Sequence, residues 1–379
     1  MKEEFSNAMR DQVLSLPQLM RDQYSDLEPK TRSVLTTPEI YDIQHIILVG
    51  LGDSYAACLA MKPMFETLTG KRTECLNALD LSRFYEKRFL GGAPHDPLVI
   101  AVSNSGKVAR MGEALMRVRK HGAFVLGVTG NDQAVLAQNS DRILKLDIPK
   151  FPSAPGTRSY MVSLMALLLL AIRIGEVRGR YTMDQAKSYR KDILLQADKL
   201  EEMLPEMDDH VFDLAKRWEN MHHFDFVGAG FDYATAWFGK AKAFEATGDF
   251  ATDTNMEEWL HLNFFMKNIS ELATVMVANT TNPALSRCKE TIRYANELGR
   301  PMVVITDGGK ADFGVDTEYI QVPRSAYPYA MPLTQFVPIC LLFGYFMAMR
   351  GDKAGRGCTG PWIISKDAAC VRQSEIVVL

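Results

Sequence analysis

The sequence Ile46-Ile-Leu-Val-Gly-Leu-Gly-Asp-Ser-Tyr-Ala56 is an apolar run that enters a glycine turn and continues into an amphipathic helical pattern. The same pattern returns at Phe224-Asp-Phe-Val-Gly-Ala-Gly-Phe-Asp-Tyr-Ala234. Three later segment pairs recur in the same order. The strand Leu98–Val102 followed by Ser103-Asn104-Ser105 matches Thr274–Ala278 followed by Asn279-Thr280-Thr281. Gly122–Thr129 matches Gly299–Thr306, and Ile143–Pro149 matches Tyr319–Pro323. Collinear matches of this kind indicate a duplicated domain.

Each repeat alternates short apolar strands with helical segments, and we predict four β-α units in each. This alternation predicts an α/β fold of two tandem flavodoxin-like, doubly wound parallel sheets. Two longer apolar runs, Met161–Ile172 and Leu333–Met349, are predicted to be helices buried in the core. The expected organisation is an N-terminal helical arm at 1–40, a first domain at 41–178, a helical linker at 179–218, a second domain at 219–350 and a C-terminal tail at 351–379.

The composition excludes several classes of protein. The chain has 379 residues, a formal net charge of −3 and six cysteines without metal-like spacing. The absence of a basic excess argues against nucleic acid as a partner. The charged N-terminus lacks the apolar region of an export signal, so we expect reduced thiols, a cytoplasmic protein and no membrane association. No cofactor or metal is expected.

Two loops of the first repeat should meet at the carboxyl edge of its sheet, where ligands of doubly wound folds bind. They carry Gly52 and Ser54 after the first strand, and Ser103-Asn104-Ser105 after a later one. Hydroxyls, an amide and helix N–H groups suit a phosphate dianion. The alternatives are that the serines only cap a helix, or that the glycine turn binds a dinucleotide. The dinucleotide alternative is disfavoured because Tyr55 stands where a third glycine is required.

The second repeat has lost the serines and carries other polar groups. Lys242 and Glu245 share a helix face, and Glu258 and His261 follow in the next polar stretch. A carboxylate and an imidazole suit proton transfer. The alternatives are an exposed helix ion pair for Lys242 and Glu245, and a core histidine at His261.

At these residues the chain resembles the tandem sugar isomerase (SIS) domain family, and in particular the isomerase half of glucosamine-6-phosphate synthase. The resemblance covers nearly the whole chain. Its motifs are Met9–Pro17, Gly50–Tyr55, Ser103–Gly106, Gly228–Tyr233, Gly239–Glu245 and Glu258–His261.

The resemblance implies a role for each matched residue. The sugar phosphate would be held by Gly52, Ser54, Ser103, Asn104 and Ser105. Glu245 would move a proton between C1 and C2 of the sugar, with Lys242 and Glu258 in support. His261 would assist ring opening from the partner subunit, which implies a homodimer with a shared active site.

Three departures from the family pattern narrow the expected reaction. The chain starts Met1-Lys2 without a cysteine nucleophile, so we expect no glutaminase activity. Lys107-Val108 replaces a Glu-Thr pair of the phosphate loop. The tail Cys370–Leu379 lacks the lysine that forms a Schiff base in the synthase.

A substrate that already carries nitrogen on C1 needs no such lysine. The expected activity is therefore that of a fructosamine-6-phosphate deglycase, which converts an Amadori product to glucose 6-phosphate and an amine. The alternatives are an aldose–ketose phosphosugar isomerase, an aminosugar-phosphate deaminase, and, in another class, a non-catalytic sugar-phosphate sensor.

Overall fold

The computed structural model describes residues 2–352 and 369–379, which form two five-stranded parallel sheets. The first sheet has the order β2-β1-β3-β4-β5 and the second the order β10-β9-β8-β6-β7. The strands are β1 His45–Gly50, β2 Arg72–Asn77, β3 Leu98–Val102, β4 Phe124–Thr129, β5 Arg142–Lys145, β6 His223–Gly228, β7 Phe250–Asn255, β8 Leu272–Val277, β9 Met302–Thr306 and β10 Glu318–Gln321. The prediction of two tandem doubly wound sheets is confirmed.

The helices between the strands follow the predicted alternation. They are α1 Ala8–Leu14, α2 Leu16–Ser33, α3 Thr37–Asp42, α4 Asp53–Thr69, α5 Ala109–Lys120, α6 Val135–Gln138, α7 Arg158–Val177, α8 Met183–Arg217, α9 Tyr233–Ala246, α10 Met256–Leu262, α11 Leu285–Leu298, α12 Lys310–Phe313, α13 Val337–Arg350 and α14 Ala369–Arg372. Short 3₁₀ and π turns complete the connections.

The prediction of four strands per repeat is wrong by one strand in each sheet. The missed strands, β2 and β7, are edge strands that pair only with β1 and β6. Each has a single buried residue, which is Thr73 in β2 and Ala251 in β7. An edge strand has one open side, so it does not need the continuous apolar run that identifies a covered strand.

The two predicted apolar helices lie inside the protein. Arg158–Val177 and the segment Pro328–Arg350 are long and apolar enough to cross a membrane, yet their apolar windows are 83% and 100% buried. In the second sheet, Phe224 packs edge-on against Phe343 of α13 at 5.0 Å between ring centroids. This packing is that of core helices covering a sheet.

The chain divides into two compact units, each built on one sheet. The unit of the first sheet comprises residues 19–150, 158–194 and 369–379 of the described chain. The unit of the second sheet comprises residues 2–18, 151–157 and 195–352. Each unit is discontinuous in sequence, and the arm, linker and tail boundaries expected above remain predictions.

Among the described residues, Cys58, Cys75 and Cys288 are free thiols. Cys358 lies outside the described residues. Within residues 2–352 and 369–379, no group of three or more His, Cys, Asp or Glu side chains could hold a metal ion.

A buried ion pair ties helix α1 into the unit of the second sheet. The Arg10 guanidinium donates to Asp208 on α8 at 2.8 Å and to the Tyr345 hydroxyl on α13 at 3.0 Å. Burial acts to raise the pKa of Asp208, but the hydrogen bonds from Arg10, Tyr345 and Lys2 hold it below its usual range. A buried carboxylate with these partners connects three helices that are far apart in sequence.

A second buried carboxylate holds the last residues of the chain in the unit of the first sheet. Glu113 on α5 accepts hydrogen bonds from Arg83 at 2.5 Å, from the Val377 backbone N–H at 2.7 Å and from Arg110. Burial opposes ionisation of Glu113, but these donors lower its pKa to about 2. The ionised carboxylate is therefore the stabilising form.

The first prediction concerns acid stability. Because the pKa of Glu113 lies below its ordinary value of 4.5, its contribution is present above that pH and is lost as the pH falls toward about 2. Urea unfolding of Glu113→Gln should show lower stability at neutral pH and a weaker decline between pH 4.5 and 2 than the wild type. The exposed variant Glu202→Gln is the control. An unchanged pH profile in Glu113→Gln would contradict this assignment.

Candidate functional site

The glycine turn of the first repeat sets Ser54 in the first turn of helix α4. Gly52 immediately precedes the helix with φ +57°, which L side chains rarely adopt. A Cβ on Gly50 would lie 2.5 Å from the backbone of Ser54. Both glycines are therefore required for this close turn from strand to helix.

The serine loop leaves the neighbouring strand at the same edge of the sheet. Strand β1 pairs with β3 through Val49 and Ala101, while β2 lies on the other side of β1. The crevice between β1 and β3 is thus the point where strand order reverses, and ligands of doubly wound folds bind at such points. The structure brings together the two loops that the sequence singled out.

The serines do not cap the helix that follows them. Helix α5 begins at Ala109, and its N-cap is Val108, so the capping alternative is wrong. Ser103 is buried and its hydroxyl oxygen accepts the Gly106 N–H at 3.2 Å. Asn104 and Ser105 are exposed.

The loop keeps two backbone donors unused. Its shape is held by the Gly130 N–H, which donates to the Asn104 carbonyl at 3.0 Å. Within the described part of the chain, no acceptor pairs with the backbone N–H groups of Asn104 and Ser105. The crevice therefore presents N–H groups together with nearby hydroxyls, which is an arrangement that binds anions.

Lys242 and Glu245 form an ion pair near the end of helix α9. The Lys242 side chain is fully buried, and its ammonium lies 4.7 Å from the centroid of the Phe238 ring and 3.4 Å from the Gly156 carbonyl oxygen. It donates to the Glu245 carboxylate, whose side chain is 40% exposed. The alternative of an ordinary exposed pair is wrong for the lysine, because a buried ammonium is kept only when it is paired.

His261 and Glu258 lie on the short helix α10, and both are exposed. The His261 side chain is 69% exposed, and its Nε2 lies 3.8 Å from Glu257, which also pairs with Arg287. The alternative of a core histidine is therefore wrong. The buried residues of this helix are Met256 and Trp259.

The register of the sheets corrects the comparison of the repeats by one residue. Val102 pairs with Val128 in the first sheet, and Val277 pairs with Ile305 in the second. Asn104 therefore corresponds to Asn279, whereas the sequence match aligned Asn279 with Ser103.

Sequence reasoning missed a buried polar cluster in the second repeat. Asp232, the counterpart of Ser54, is fully buried and accepts hydrogen bonds from the Asn279 backbone N–H at 2.9 Å, from Asn282 at 2.7 Å, from Gln335 at 2.8 Å and from the Asn279 side chain. Burial raises its pKa to about 6 although these donors lower it. The detectable signal was an aspartate at a serine position of the repeat.

A cavity of about 390 Å³ lies elsewhere in the unit of the second sheet. It is bordered by His223 and Phe224 at the start of β6 and by Leu272 at the start of β8. It is therefore at the amino ends of these strands, away from the edge where ligands of this fold class bind.

Comparisons with known proteins agree with this fold. Residues 39–173 match the model of the SIS domain. The chain is 25% identical over 310 residues to a glutamine–fructose-6-phosphate aminotransferase of Thermotoga maritima, covering 80% of this chain and 48% of that protein. The chain thus spans about half the length of the curated relatives it matches.

Solved structures show the same fold. The C-terminal domain of glucosamine-fructose-6-phosphate aminotransferase from Francisella tularensis superposes with a TM-score of 0.80 at 16% identity, covering 93% of this chain and 99% of that one. A tagatose-6-phosphate ketose/aldose isomerase from Escherichia coli gives a TM-score of 0.74 at 15% identity, covering 94% and 98%. The chain therefore carries a SIS domain, consists of two tandem SIS-like units and is homologous to the isomerase part of glucosamine-fructose-6-phosphate aminotransferase.

Proposed function

We propose that this chain binds a sugar phosphate at the first sheet and acts as a cytoplasmic fructosamine-6-phosphate deglycase. The observation that carries the binding step is the crevice between β1 and β3, where the N–H groups of Asn104 and Ser105 have no acceptor among the described residues. Such donors are costly to leave unpaired unless water or a ligand accepts from them. A phosphate dianion is a suitable ligand.

The side chains of the crevice would complete the phosphate site. Ser54 lies in the first turn of α4, where the helix dipole favours an anion. The Ser103 hydroxyl oxygen accepts from Gly106, so its own O–H is directed elsewhere and can donate. The Ser105 hydroxyl and the Asn104 amide add further donors. Charge would be balanced by hydrogen bonds and not by arginine.

Glu245 is the proposed carboxylate for proton transfer. In an Amadori product, C1 carries the amine and C2 is a carbonyl. The carboxylate would take a proton from C1 while the C2 carbonyl oxygen gains one from an acid, which gives an enaminol. The carboxyl group would then protonate C2, and loss of the N–H proton leaves an aldimine at C1. Water then adds to the aldimine and the amine leaves, giving glucose 6-phosphate. The buried Lys242 ammonium would orient the carboxylate for both transfers.

The deglycase is favoured over an isomerase that works through an enzyme imine. Residues 369–379 contain no lysine, and Lys242 is buried in its pair with Glu245. An Amadori product brings its own nitrogen, so no enzyme amine is required. The exposed position of His261 supports its proposed role in the active site of a partner subunit, where it would serve the sugar oxygens or the leaving amine. Glu258, on the same helix, would support His261.

One assay separates the alternatives. The protein is incubated separately with fructoselysine 6-phosphate, with fructose 6-phosphate plus ammonia, and with glucosamine 6-phosphate, and the products are followed by NMR. Release of glucose 6-phosphate and lysine from the first substrate supports the deglycase, and turnover of only the others supports an isomerase or a deaminase. Binding without turnover of any substrate would favour the sensor.

The second prediction concerns the phosphate loops. Ser54→Ala and Ser105→Ala should each raise KM for fructoselysine 6-phosphate about tenfold or more, with a smaller change in kcat, because each removes a hydrogen bond to a charged ligand. Steady-state kinetics measures this split. The exposed Ser33→Ala is the control. Unchanged KM in both loop variants would place the phosphate elsewhere.

The third prediction concerns Glu245. Glu245→Gln should lower kcat by about 100-fold or more while sugar-phosphate binding is retained, because the amide cannot accept the C1 proton. In deuterated water, the wild-type glucose 6-phosphate should carry deuterium at C2 because the proton on the Glu245 carboxyl exchanges with solvent between the two transfers. The exposed Glu201→Gln is the matched control. Turnover that survives Glu245→Gln unchanged would refute the proton-transfer role.

The fourth prediction concerns the shared site. Glu245→Gln and His261→Ala should each be inactive alone, but a co-expressed mixture should recover about a quarter of the wild-type activity. Half of the dimers are then mixed, and each has one intact site if His261 comes from the partner subunit. If the mixture stays as inactive as the separate variants, the active site is not shared between subunits.

A further inference from the structure

The second sheet retains the donor geometry of an anion site at its own carboxyl edge. We propose that the loop Asn279–Asn282 is an anion-binding cradle that is permanently filled by the chain's own carboxylates, Asp232 and Asp307. Each chain would therefore bind one phosphate and not two. The count of one bound phosphate per chain rests on the proposed phosphate site of the first sheet. The contacts of Asp232 and Asp307 with the second-sheet loop do not depend on that site.

Four nitrogen donors converge on Asp232. They are the backbone and side-chain N–H groups of Asn279 and the side-chain amides of Asn282 and Gln335. The Thr235 hydroxyl in turn donates to Gln335 at 2.8 Å and holds that amide in place. Several N–H groups that converge on one buried pair of oxygens form the same arrangement that proteins use to bind phosphate.

Asp307 accepts from the next residue of the loop. The Thr280 backbone N–H donates to one carboxylate oxygen of Asp307 at 2.7 Å, and the Thr280 hydroxyl donates to the other at 3.1 Å. Arg324 lies 3.4 Å from the same carboxylate. The consecutive N–H groups of Asn279 and Thr280 thus each have a carboxylate acceptor from within the chain.

The first sheet provides the comparison. By register, Asn104 and Ser105 correspond to Asn279 and Thr280, and their N–H groups lack an acceptor within the described residues. Serine stands at position 54 where the second repeat has Asp232. Glycine stands at position 130, the counterpart of Asp307, directly after the threonine that ends each fourth strand. Asp232 and Asp307 are therefore acceptors that the second loop has and that the corresponding positions of the first loop, Ser54 and Gly130, lack.

The negative charges of Asp232 and Asp307 disfavour binding of an external anion at the second cradle. Asp232 and Asp307 are both buried and lie close enough for the charge of Asp307 to raise the pKa of Asp232. A phosphate dianion that approached this loop would meet two negative groups and would find its donors already occupied. Retaining these carboxylates also satisfies donors that would otherwise be buried without partners.

The experiment transfers the first-sheet residues to the second sheet. The double variant Asp232→Ser/Asp307→Gly introduces the residue types found at positions 54 and 130 of the first repeat. Inorganic phosphate is then titrated at constant ionic strength, with chloride as the reference anion. Assigned amide NMR signals of Asn279, Asn282 and Gln335 report on the second cradle, and those of Asn104 and Ser105 report on the first. Asp209→Ser/Asp316→Ser makes the same change of net charge at exposed positions and is the matched control.

In the double variant, phosphate should shift the second-cradle signals saturably and bind there at least about tenfold more tightly than in the wild type or the control. If the folded double variant shows no such shift, or if the wild type already binds phosphate there, the proposal is overturned. A variant that is unfolded in chloride should fold in phosphate, and failure to do so also overturns it. If phosphate does not shift the Asn104 and Ser105 signals of the wild type, the proposed function is refuted but the inference about the second cradle is not.

Discussion

Backbone N–H groups at the carboxyl edge of a parallel sheet need acceptors, and the reversal of strand order leaves a crevice there in which neighbouring strands supply none. This constraint applies to both halves of the chain. In the second half the acceptors are Asp232 and Asp307, which lie within the loop network. In the first half, serine and glycine replace them, and the donors at Asn104 and Ser105 remain available for a ligand. The corresponding loops of the two repeats therefore differ in their acceptors: carboxylates of the chain in the second half, and none among the described residues in the first.

The second half carries the pair that we propose for proton transfer, Lys242 and Glu245. Burial of the Lys242 ammonium costs several kcal/mol of desolvation free energy, which its ion pair with the partly exposed Glu245 carboxylate offsets in part. The contact with Phe238 and the Gly156 carbonyl compensates part of this cost. The result is a partly exposed carboxylate paired with a buried ammonium, and the proposed general-base role rests on this arrangement.

The sequence predicted the covered strands and the edge strands β5 and β10, but it missed the edge strands β2 and β7. Strands such as β1 and β3 are buried on both faces, so their apolar runs identify them directly. Arg72–Asn77 and Phe250–Asn255 are polar edge strands, and their pairing depends on neighbours that are not local in sequence. The candidate site residues of the first repeat could be proposed from the sequence because glycine turns and serine loops have local signatures. Asp232 was missed because its donors include Gln335, from a distant segment.

By itself, the sequence determined the duplication, the α/β class and the two loops of the first crevice, because these follow from local periodicity and turn chemistry. The tertiary structure decided which polar residues are buried, how the repeats align and where each donor finds its acceptor. His261 illustrates the difference, since its apolar neighbours Leu260 and Leu262 suggested a core position whereas the helix exposes it. Burial and hydrogen-bond partners are properties of packing between distant segments, and local sequence does not encode them residue by residue.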